Sequence, residues 1–266
     1  MADPPIRTTG LVGDPSPVAS LPYRAALLGA RVIGRGVFGF RTEVRGTANL
    51  PCDDAGRPVG GWILAGLPHR TWVDPFVVAD NVPLEPRLVF FGDGEAIFRS
   101  AWRRWLVRRI GGVIPIWPGE RRTAIDRYLA AADAALKVGT VICLFPEIGP
   151  ATEPGTARRF GLGLAYFALR TGAPVVPVVL GGTHDLYRGR RFRLDVLPAV
   201  TARQLAGLSA DAPLPTPWSS AERATAHRKT TALHALTAGP VLAAHRATEP
   251  PPDAKRRWRW LTTAWH

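Results

Sequence analysis

The feature that most constrains this chain is a succession of short apolar runs that alternate with longer amphipathic stretches. The clearest run, Thr140–Phe145, is followed by a stretch with helical spacing over 158–170 and then by a second apolar run, Ala173–Leu180. Runs of this length predict buried strands, and apolar residues three and four positions apart predict helices. Further strands are predicted over 42–47, 61–67, 87–91, 113–116 and 192–197, and further helices over 97–110 and 121–138. This alternation predicts an α/β fold with a central, mostly parallel or mixed sheet flanked by helices.

Length and composition predict a single α/β domain with extensions at both ends. A chain of 266 residues fits one such domain, or two small ones. Residues 1–20 are rich in proline and poor in apolar residues, which predicts a disordered arm. We place the α/β domain at 21–200, with a basic amphipathic helix at its N-terminal end. An alanine-rich helical extension at 201–247 and a basic-aromatic tail at 248–266 complete the chain.

Charge is the unusual part of the composition. The chain has 34 Lys and Arg against 21 Asp and Glu, which gives a formal net charge of +13 and a pI near 11.1. Such a balance suits anionic partners, whether phosphate groups, nucleic acid or an acidic membrane surface. A GC-rich genome that encodes Arg in place of Lys is a second explanation for part of the bias.

Cysteine content and hydropathy indicate in which cellular compartment the protein works. Cys52 and Cys143 are too few and too far apart for a disulfide framework or a metal cage, so we expect a reducing compartment. The first residues, 1–17, are polar and proline-rich and do not resemble a signal peptide. No apolar run approaches the length of about 18 residues that a spanning helix needs. A contact with a membrane would therefore be made from its surface.

Three segments place arginines among apolar or aromatic side chains, namely 24–38, 102–109 and 256–260. The first lies in a stretch that is typical of a basic amphipathic helix at a membrane interface. A helix packed on the domain with its arginines in water explains the same pattern, and the glycines in this stretch weaken a free helix. Both interpretations stay open.

A histidine and an aspartate follow the predicted strand 61–67. His69 and Asp74 would lie about 140° apart on a regular helix, so their side chains meet only if the segment turns between them. Pro75 favours such a break, because the residue before a proline avoids helical geometry; Asp74 can also cap a helix that begins at Pro75. An aspartate that accepts the Nδ1 proton of a histidine leaves Nε2 to take a proton from a hydroxyl. The pair is a candidate base, although its spacing alone is weak evidence.

Other histidines are weaker candidates. His184 and Asp185 follow the last buried strand, but adjacent residues of a strand point apart. The histidines at 227, 234 and 245 lie on polar or mixed helical faces, and no metal-ligand spacing is complete. We therefore expect no metal centre.

Three motifs occur in order along the chain. His69-x4-Asp74 comes first, Phe145-Pro146-Glu147 stands second at a strand end, and the run Ala-Pro-Val-Val-Pro-Val at 173–178 is third. In order and spacing they resemble the motifs of the glycerolipid acyltransferases of the lysophosphatidate acyltransferase type, the His-x4-Asp family. The resemblance covers residues 21–198.

The resemblance implies an O-acyltransferase of phospholipid biosynthesis. Such an enzyme moves a fatty acyl group from acyl-CoA or acyl carrier protein to the hydroxyl of a 1-acylglycerol-3-phosphate acceptor, with no cofactor besides the thioester. It implies that His69 is the general base and that Asp74 orients it. Glu147 would help to build the acceptor site; a strand-end carboxylate that pairs with an arginine and holds its loop is an equal alternative.

The chain departs from the family pattern at three places. Pro68 stands where the family often has Asn, and the two family arginines that bind the acceptor phosphate, one after each of two motif strands, are displaced. Arginine suits that task because its donor fork binds phosphate with two bonds. The expected replacements are Arg121 or Arg122 for one and Arg158 or Arg159 for the other; solvated helix starts are the alternative explanation of both pairs.

The resemblance and the composition together predict a cytoplasmic enzyme that is peripheral on the inner face of the cell membrane, which it meets through the basic-aromatic segments 24–38, 102–109 and 256–260. The resemblance implies an acyl thioester donor and a lipid acceptor as its partners. An enzyme of the same family that acts on a different polar lipid, or on an acceptor without phosphate, is the first alternative. A basic nucleic-acid-binding protein is the second. The sequence has no recognisable nucleic-acid-binding motif, and its arginines are spread through the chain rather than gathered on one element. We therefore expect no nucleic acid as a partner.

Overall fold

The computed structural model of the protein describes residues 10–117, 122–148, 153–209, 213, 215–251 and 256–263. The chain divides into two compact units. The first unit comprises residues 1–26, 52–62 and 83–144, and the second comprises residues 27–51, 63–82 and 145–266.

The described helices and strands alternate along most of the chain. In order they are α1 (Leu21–Val32), β1 (Arg41–Arg45), β2 (Ile63–Leu67), α2 (Asp74–Asn81), β3 (Leu88–Asp93), α3 (Gly94–Phe98), α4 (Ala101–Ile110), β4 (Val113–Ile116), α5 (Arg122–Lys137), β5 (Val141–Leu144), α6 (Gly163–Thr171), β6 (Val175–Gly181), β7 (Arg191–Val196), α7 (Ala202–Ala206) and α8 (Ser220–Ala247). A π-helical turn continues α1, and short 3₁₀ turns follow β1 and precede the C-terminus.

In the first unit the neighbouring strands β5, β3 and β4 are all parallel. Leu88 of β3 lies opposite Val141 of β5, and Phe90 lies opposite Val113 of β4. Parallel neighbours need crossover connections, and here these are helical: α3 and α4 lead from β3 to β4, and α5 leads from β4 to β5. The apolar face of α5 includes Ala132, which is fully buried, so this helix covers the strands that it connects.

In the second unit the strand order is β1, β7, β6 and β2, and the pairing is mixed. Strands β2 and β6 are parallel, with Ile63 opposite Val175, whereas β6 and β7 are antiparallel. Strands β1 and β7 are again parallel. Every residue of β2 and β6 is buried. This explains why the sequences of both strands are continuously apolar rather than alternating between apolar and polar residues. The predicted α/β class with a mixed sheet flanked by helices is confirmed.

Two predicted helices are interrupted. The stretch 97–110 forms α3 and α4, because Ser100 adopts an extended conformation that ends one helix and begins the next. Among its described residues, the extension 201–247 likewise forms more than one helix, namely α7 and α8. The first, α7, ends at Gly207, whose φ of 63° gives the left-handed conformation that favours glycine.

The predicted helix over 158–170 begins later, at Gly163. The residues before Gly163 form an extended segment that is hydrogen-bonded to the loop after β5. Ile148 donates its N–H to the carbonyl of Arg159 at 2.8 Å, and Gly161 donates to the carbonyl of Pro146 at 2.7 Å. A helix over these residues would require their backbone groups to bond within the helix instead.

The N-terminal arm was predicted to be disordered, but its described part, residues 10–20, is bonded to the strands. Val12 donates its N–H to the carbonyl of Val113 at 2.8 Å, and Arg87 donates its N–H to the carbonyl of Pro17 at 2.8 Å. Residues 1–9 lie outside the described residues.

Lys229 of α8 is buried among apolar side chains. Its side chain is 2% exposed and lines a crevice with Phe160, Leu164 and Leu233. Within the described part of the chain its Nζ has no hydrogen-bond partner. Burial lowers the pKa of Lys229 to about 7, because an ammonium group loses its hydration in such surroundings.

We predict that Lys229→Met stabilises the fold more at pH 6 than at pH 9. An unfolded lysine stays protonated up to about pH 10, whereas the folded Lys229 releases its proton near pH 7. The stability of the wild type therefore rises as the pH rises from 7 towards 10. The gain from the substitution should be larger at pH 6 by about 3 kcal/mol, from 1.36 kcal/mol per pH unit over the two units between pH 7 and pH 9. Urea denaturation at both pH values measures this.

Lys137→Met is the matched control, since Lys137 is exposed and pairs with Asp133. Its effect on the free energy of unfolding should change little between the two pH values. An equal gain from Lys229→Met at both pH values would contradict a buried neutral lysine.

Candidate active site

His69 follows the end of β2, and its ring lies against Asp74 at the start of α2. Nδ1 of His69 and Oδ2 of Asp74 are 2.8 Å apart. The predicted turn between them is present, because the N–H of Asp74 donates to the carbonyl of Thr71 at 3.2 Å. The side chain of His69 is 44% exposed, whereas that of Asp74 is fully buried. With Nδ1 engaged, Nε2 is the ring nitrogen that remains to accept a proton.

Asp74 is held by backbone groups of the same turn. Its Oδ2 accepts from the N–H of Arg70 at 2.6 Å and from the N–H of Thr71 at 2.8 Å, in addition to the bond from His69. A buried carboxylate needs such donors to replace lost water. Asp74 does not cap α2, since Val73 occupies the N-cap position and no side chain caps it. The carboxylate instead points back into the turn and fixes the orientation of His69.

Glu147 links the turn to a second loop. Its Oε2 accepts from the N–H of His69 at 2.7 Å, and its Oε1 accepts from the N–H of Arg158 at 2.6 Å. The loop-holding role is therefore present through backbone N–H groups, and the charge of Glu147 also acts on the guanidinium of Arg70. A part in the acceptor site remains a prediction.

The ring of Phe145 supports the other side of the histidine. The two rings are stacked, with centroids 4.4 Å apart and planes 24° apart. Phe145 in turn fills the space beside Gly66 of β2: a Cβ at that glycine would lie 2.6 Å from the ring. Glycine is thus required at position 66, because the Phe145 ring that stacks on His69 occupies the space that a side chain there would need.

Two arginines lie near the pair. Burial lowers the pKa of the Arg70 guanidinium; the charge of Glu147 opposes this shift, and the charge of Arg158 adds to it. The guanidinium of Arg70 also donates to the carbonyl of Thr156. The charges of Glu147 and Arg158 thus both act on Arg70, so that these three charged groups share one region beside the candidate base.

The other predicted arginines have different positions. Arg159 lies next to Arg158, and its carbonyl accepts from Ile148. Arg122 is the first residue of α5 in the first unit, and Arg121 lies outside the described residues. Their roles in phosphate binding remain predictions.

His184 and Asp185 do not form a second catalytic pair. The ring of His184 packs edge-on against that of His245 at 5.1 Å. Burial lowers the pKa of His184 to about 4, and the charges of Arg190 and His245 add to the shift. Asp185 is engaged instead by Arg256, at 2.9 Å.

Two kinds of feature are absent from the described ranges. No group of three His, Cys, Asp or Glu side chains there is arranged to hold a metal ion. None of the helices in those ranges combines the length and the apolar character needed to cross a membrane.

A family model supplies the decisive comparison. The model described as Acyltransferase matches residues 41–181, which include β1 to β6 and the whole of the site. The chain belongs to the acyltransferase family. The resemblance found in the three motifs is thereby confirmed.

Curated relatives agree over a shorter stretch. A 1-acyl-sn-glycerol-3-phosphate acyltransferase of Cocos nucifera is 32% identical over 88 residues, which is 33% of this chain and 28% of the relative. One from Limnanthes douglasii is 30% identical over 88 residues, 33% of this chain and 31% of the relative. The match thus spans less than a third of the length of each relative.

A solved structure shares the fold. The 1-acyl-sn-glycerophosphate acyltransferase PlsC of Thermotoga maritima aligns with a TM-score of 0.50 over 81% of both chains, at 20% sequence identity. This likeness supports the α/β acyltransferase fold.

Sequence reasoning did not identify Gly66, Phe145 or Thr71 as individual parts of the site. A glycine inside a buried apolar strand is a signal of close approach, and Gly66 is such a residue. The stacking of Phe145 on His69 had no local signal, because it joins two strand ends distant in the chain.

We predict that Gly66→Ala lowers kcat strongly while it changes the free energy of unfolding only modestly. The added methyl group would meet the Phe145 ring at 2.6 Å, so the ring and the stacked His69 must shift. Displacement of a positioned base costs roughly 10²-fold in rate. The rate constant kcat and the unfolding free energy would be measured together.

Gly163→Ala is the control, since a Cβ at Gly163 meets nothing within 4 Å. A Gly66→Ala variant with wild-type kcat would show that the Phe145 ring does not position His69.

Proposed function

We propose that this protein is an O-acyltransferase that moves a fatty acyl group from a thioester, acyl-CoA or acyl carrier protein, to the hydroxyl of a 1-acylglycerol-3-phosphate-like acceptor in phospholipid biosynthesis. The observation that carries the proposal is the bond from Nδ1 of His69 to the buried carboxylate of Asp74. Family membership supports the acyl-transfer chemistry. The names of the similar acyltransferases suggest the acceptor.

The proposed reaction needs no covalent enzyme intermediate. The acceptor hydroxyl gives its proton to Nε2 of His69 while its oxygen bonds to the thioester carbonyl carbon. When the tetrahedral intermediate collapses, the carbon–sulfur bond breaks and the imidazolium returns the proton to the leaving thiolate. Asp74 holds the ring in the required tautomer throughout. A positioned base of this kind contributes roughly 10²–10⁴-fold to the rate.

The acceptor phosphate is proposed to bind beside Arg158. This arginine follows the Phe-Pro-Glu motif, its N–H bonds to Glu147, and its charge acts on Arg70. An anion placed there would relieve the repulsion between the two guanidinium groups. Of the displaced arginines predicted from the sequence, Arg158 is the one that this geometry favours.

A membrane contact is proposed for an exposed apolar patch of the second unit. We define this patch by five side chains that are 40–60% exposed: Val32, Ile33, Val37, Trp258 and Trp260. Its two segments meet where the ring of Phe38 contacts that of Trp258 at 6.4 Å. The guanidinium of Arg188 lies over the Trp258 ring at 5.2 Å. Aromatic and basic groups together suit the surface of an acidic membrane.

The function is tested by CoA release from an acyl-CoA with a panel of acceptors. We expect turnover with a 1-acylglycerol-3-phosphate and much less with a monoacylglycerol, which lacks the phosphate. His69→Ala should lower kcat roughly 10²–10⁴-fold. His227→Ala is the matched control, since His227 is exposed on α8.

Absence of turnover with every acceptor, or a His69→Ala variant as active as the wild type, would overturn the proposal. Equal turnover with and without the acceptor phosphate would contradict the role of Arg158 and favour an acceptor without phosphate.

The membrane contact is tested by cosedimentation with vesicles. Binding should be stronger to vesicles that contain phosphatidylglycerol than to pure phosphatidylcholine, and it should fall with salt. Trp260→Ser should weaken binding several-fold, because an interfacial indole is lost. Leu236→Ser changes an apolar residue outside the patch that is also exposed, at 46%, and this variant should bind as the wild type does. Equal losses in both variants would argue against the patch.

A further inference from the structure

The C-terminal tail, here residues 256–263, is folded onto the second unit rather than left in solvent. It contains a 3₁₀ turn, Arg259–Thr262, and the side chain of Leu261 within that turn is 1% exposed. Trp258, just before the turn, has a φ of 67°. A non-glycine residue in this conformation is held there by its surroundings.

The loop after β6 anchors the tail along its length. Leu186 donates its N–H to Oγ1 of Thr262 at 2.9 Å, and Arg188 donates its N–H to the carbonyl of Arg257 at 2.9 Å. An ion pair between Arg256 and Asp185, at 2.9 Å, adds a third attachment. These bonds involve backbone groups at several points, so the tail has a defined register on the loop.

From that position the tail reaches the turn that carries the candidate base. The indole Nε1 of Trp72 donates to the carbonyl of Leu261 at 2.9 Å. Trp72 lies between His69 and Asp74, one residue after Thr71. The hydroxyl of Thr71 donates in turn to the carbonyl of Thr183, at 3.0 Å. The turn is thus attached on its outer side both to the tail and to the loop that anchors the tail.

We infer that Trp72 is a positioning residue and that the tail holds the His69–Asp74 turn in its bonded form through the Trp72–Leu261 hydrogen bond. The N–H groups of Arg70 and Thr71 bond to Asp74 only while the turn keeps its shape. A loosened Trp72 would let the turn open and would separate Asp74 from His69. The tail therefore has a role in the site that its basic and aromatic composition does not suggest.

The test compares Trp72→Phe, which keeps an aromatic ring but removes the N–H donor, with Thr262→Val, which removes the attachment of the tail nearest to Leu261 and leaves the other two. Amide hydrogen exchange is followed at Arg70 and Thr71 in the protein without substrate. Both variants should exchange about fivefold faster at these two amides, the factor for one hydrogen bond of about 1 kcal/mol. The kinetic arm rests on the proposed function: kcat should fall by a similar factor, with the acceptor KM changed less than about twofold.

Trp62→Phe is the matched control, because Nε1 of Trp62 donates to the carbonyl of Val59 at 2.7 Å, just before the start of β2 and so at the opposite end of that strand from the turn. It removes the same kind of bond and should leave both amides and kcat unchanged. Unchanged exchange at Arg70 and Thr71 in Trp72→Phe, or the same acceleration in Trp62→Phe, would overturn the inference. A wild type without turnover would overturn the proposed function alone, since the exchange result does not depend on activity.

Discussion

One buried carboxylate governs the geometry of the candidate site. Removing the charge of Asp74 from water is costly unless donors replace the lost hydration, and three N–H groups converge on its Oδ2. All three belong to residues 69–71, immediately before it in the chain. The bonds to Oδ2 of Asp74 therefore form only when the segment folds into the turn that orients His69. The hydrogen bonds that stabilise Asp74 and the orientation of the His69 ring therefore depend on the same turn.

The same principle extends to the neighbouring loop. Glu147 accepts from the N–H of His69 and from the N–H of Arg158, so two carboxylates hold two loops through backbone donors. Backbone donors are indifferent to the side chains that they carry. This explains how the chain keeps the turn with Pro68 before His69, where the family often has Asn. The side-chain constraint falls instead on Gly66, which must leave room for Phe145.

The high net charge overstates the number of free cations. Arg31 and Arg35 both pair with Asp80, and Arg256 pairs with Asp185. The basic stretch 24–38 therefore agrees in part with each of its two interpretations, a packed helix and a helix at a membrane interface. Arg31 and Arg35 bond to Asp80, as expected of a packed helix, while Ile33 and its apolar neighbours stay exposed. The proposed membrane contact relies on those apolar groups and less on total charge.

The sequence by itself determined the α/β class, the buried strands and the order of the three motifs, because strand and helix periodicity are local properties of neighbouring residues. It also indicated that the chain must turn between His69 and Asp74. Only the tertiary structure decided that α6 begins at Gly163, since the preceding backbone bonds to the loop after β5. The contact of Trp72 with Leu261 joins residues 189 positions apart. No local pattern encodes such a pair, because the free energy of the contact arises only when distant segments pack together.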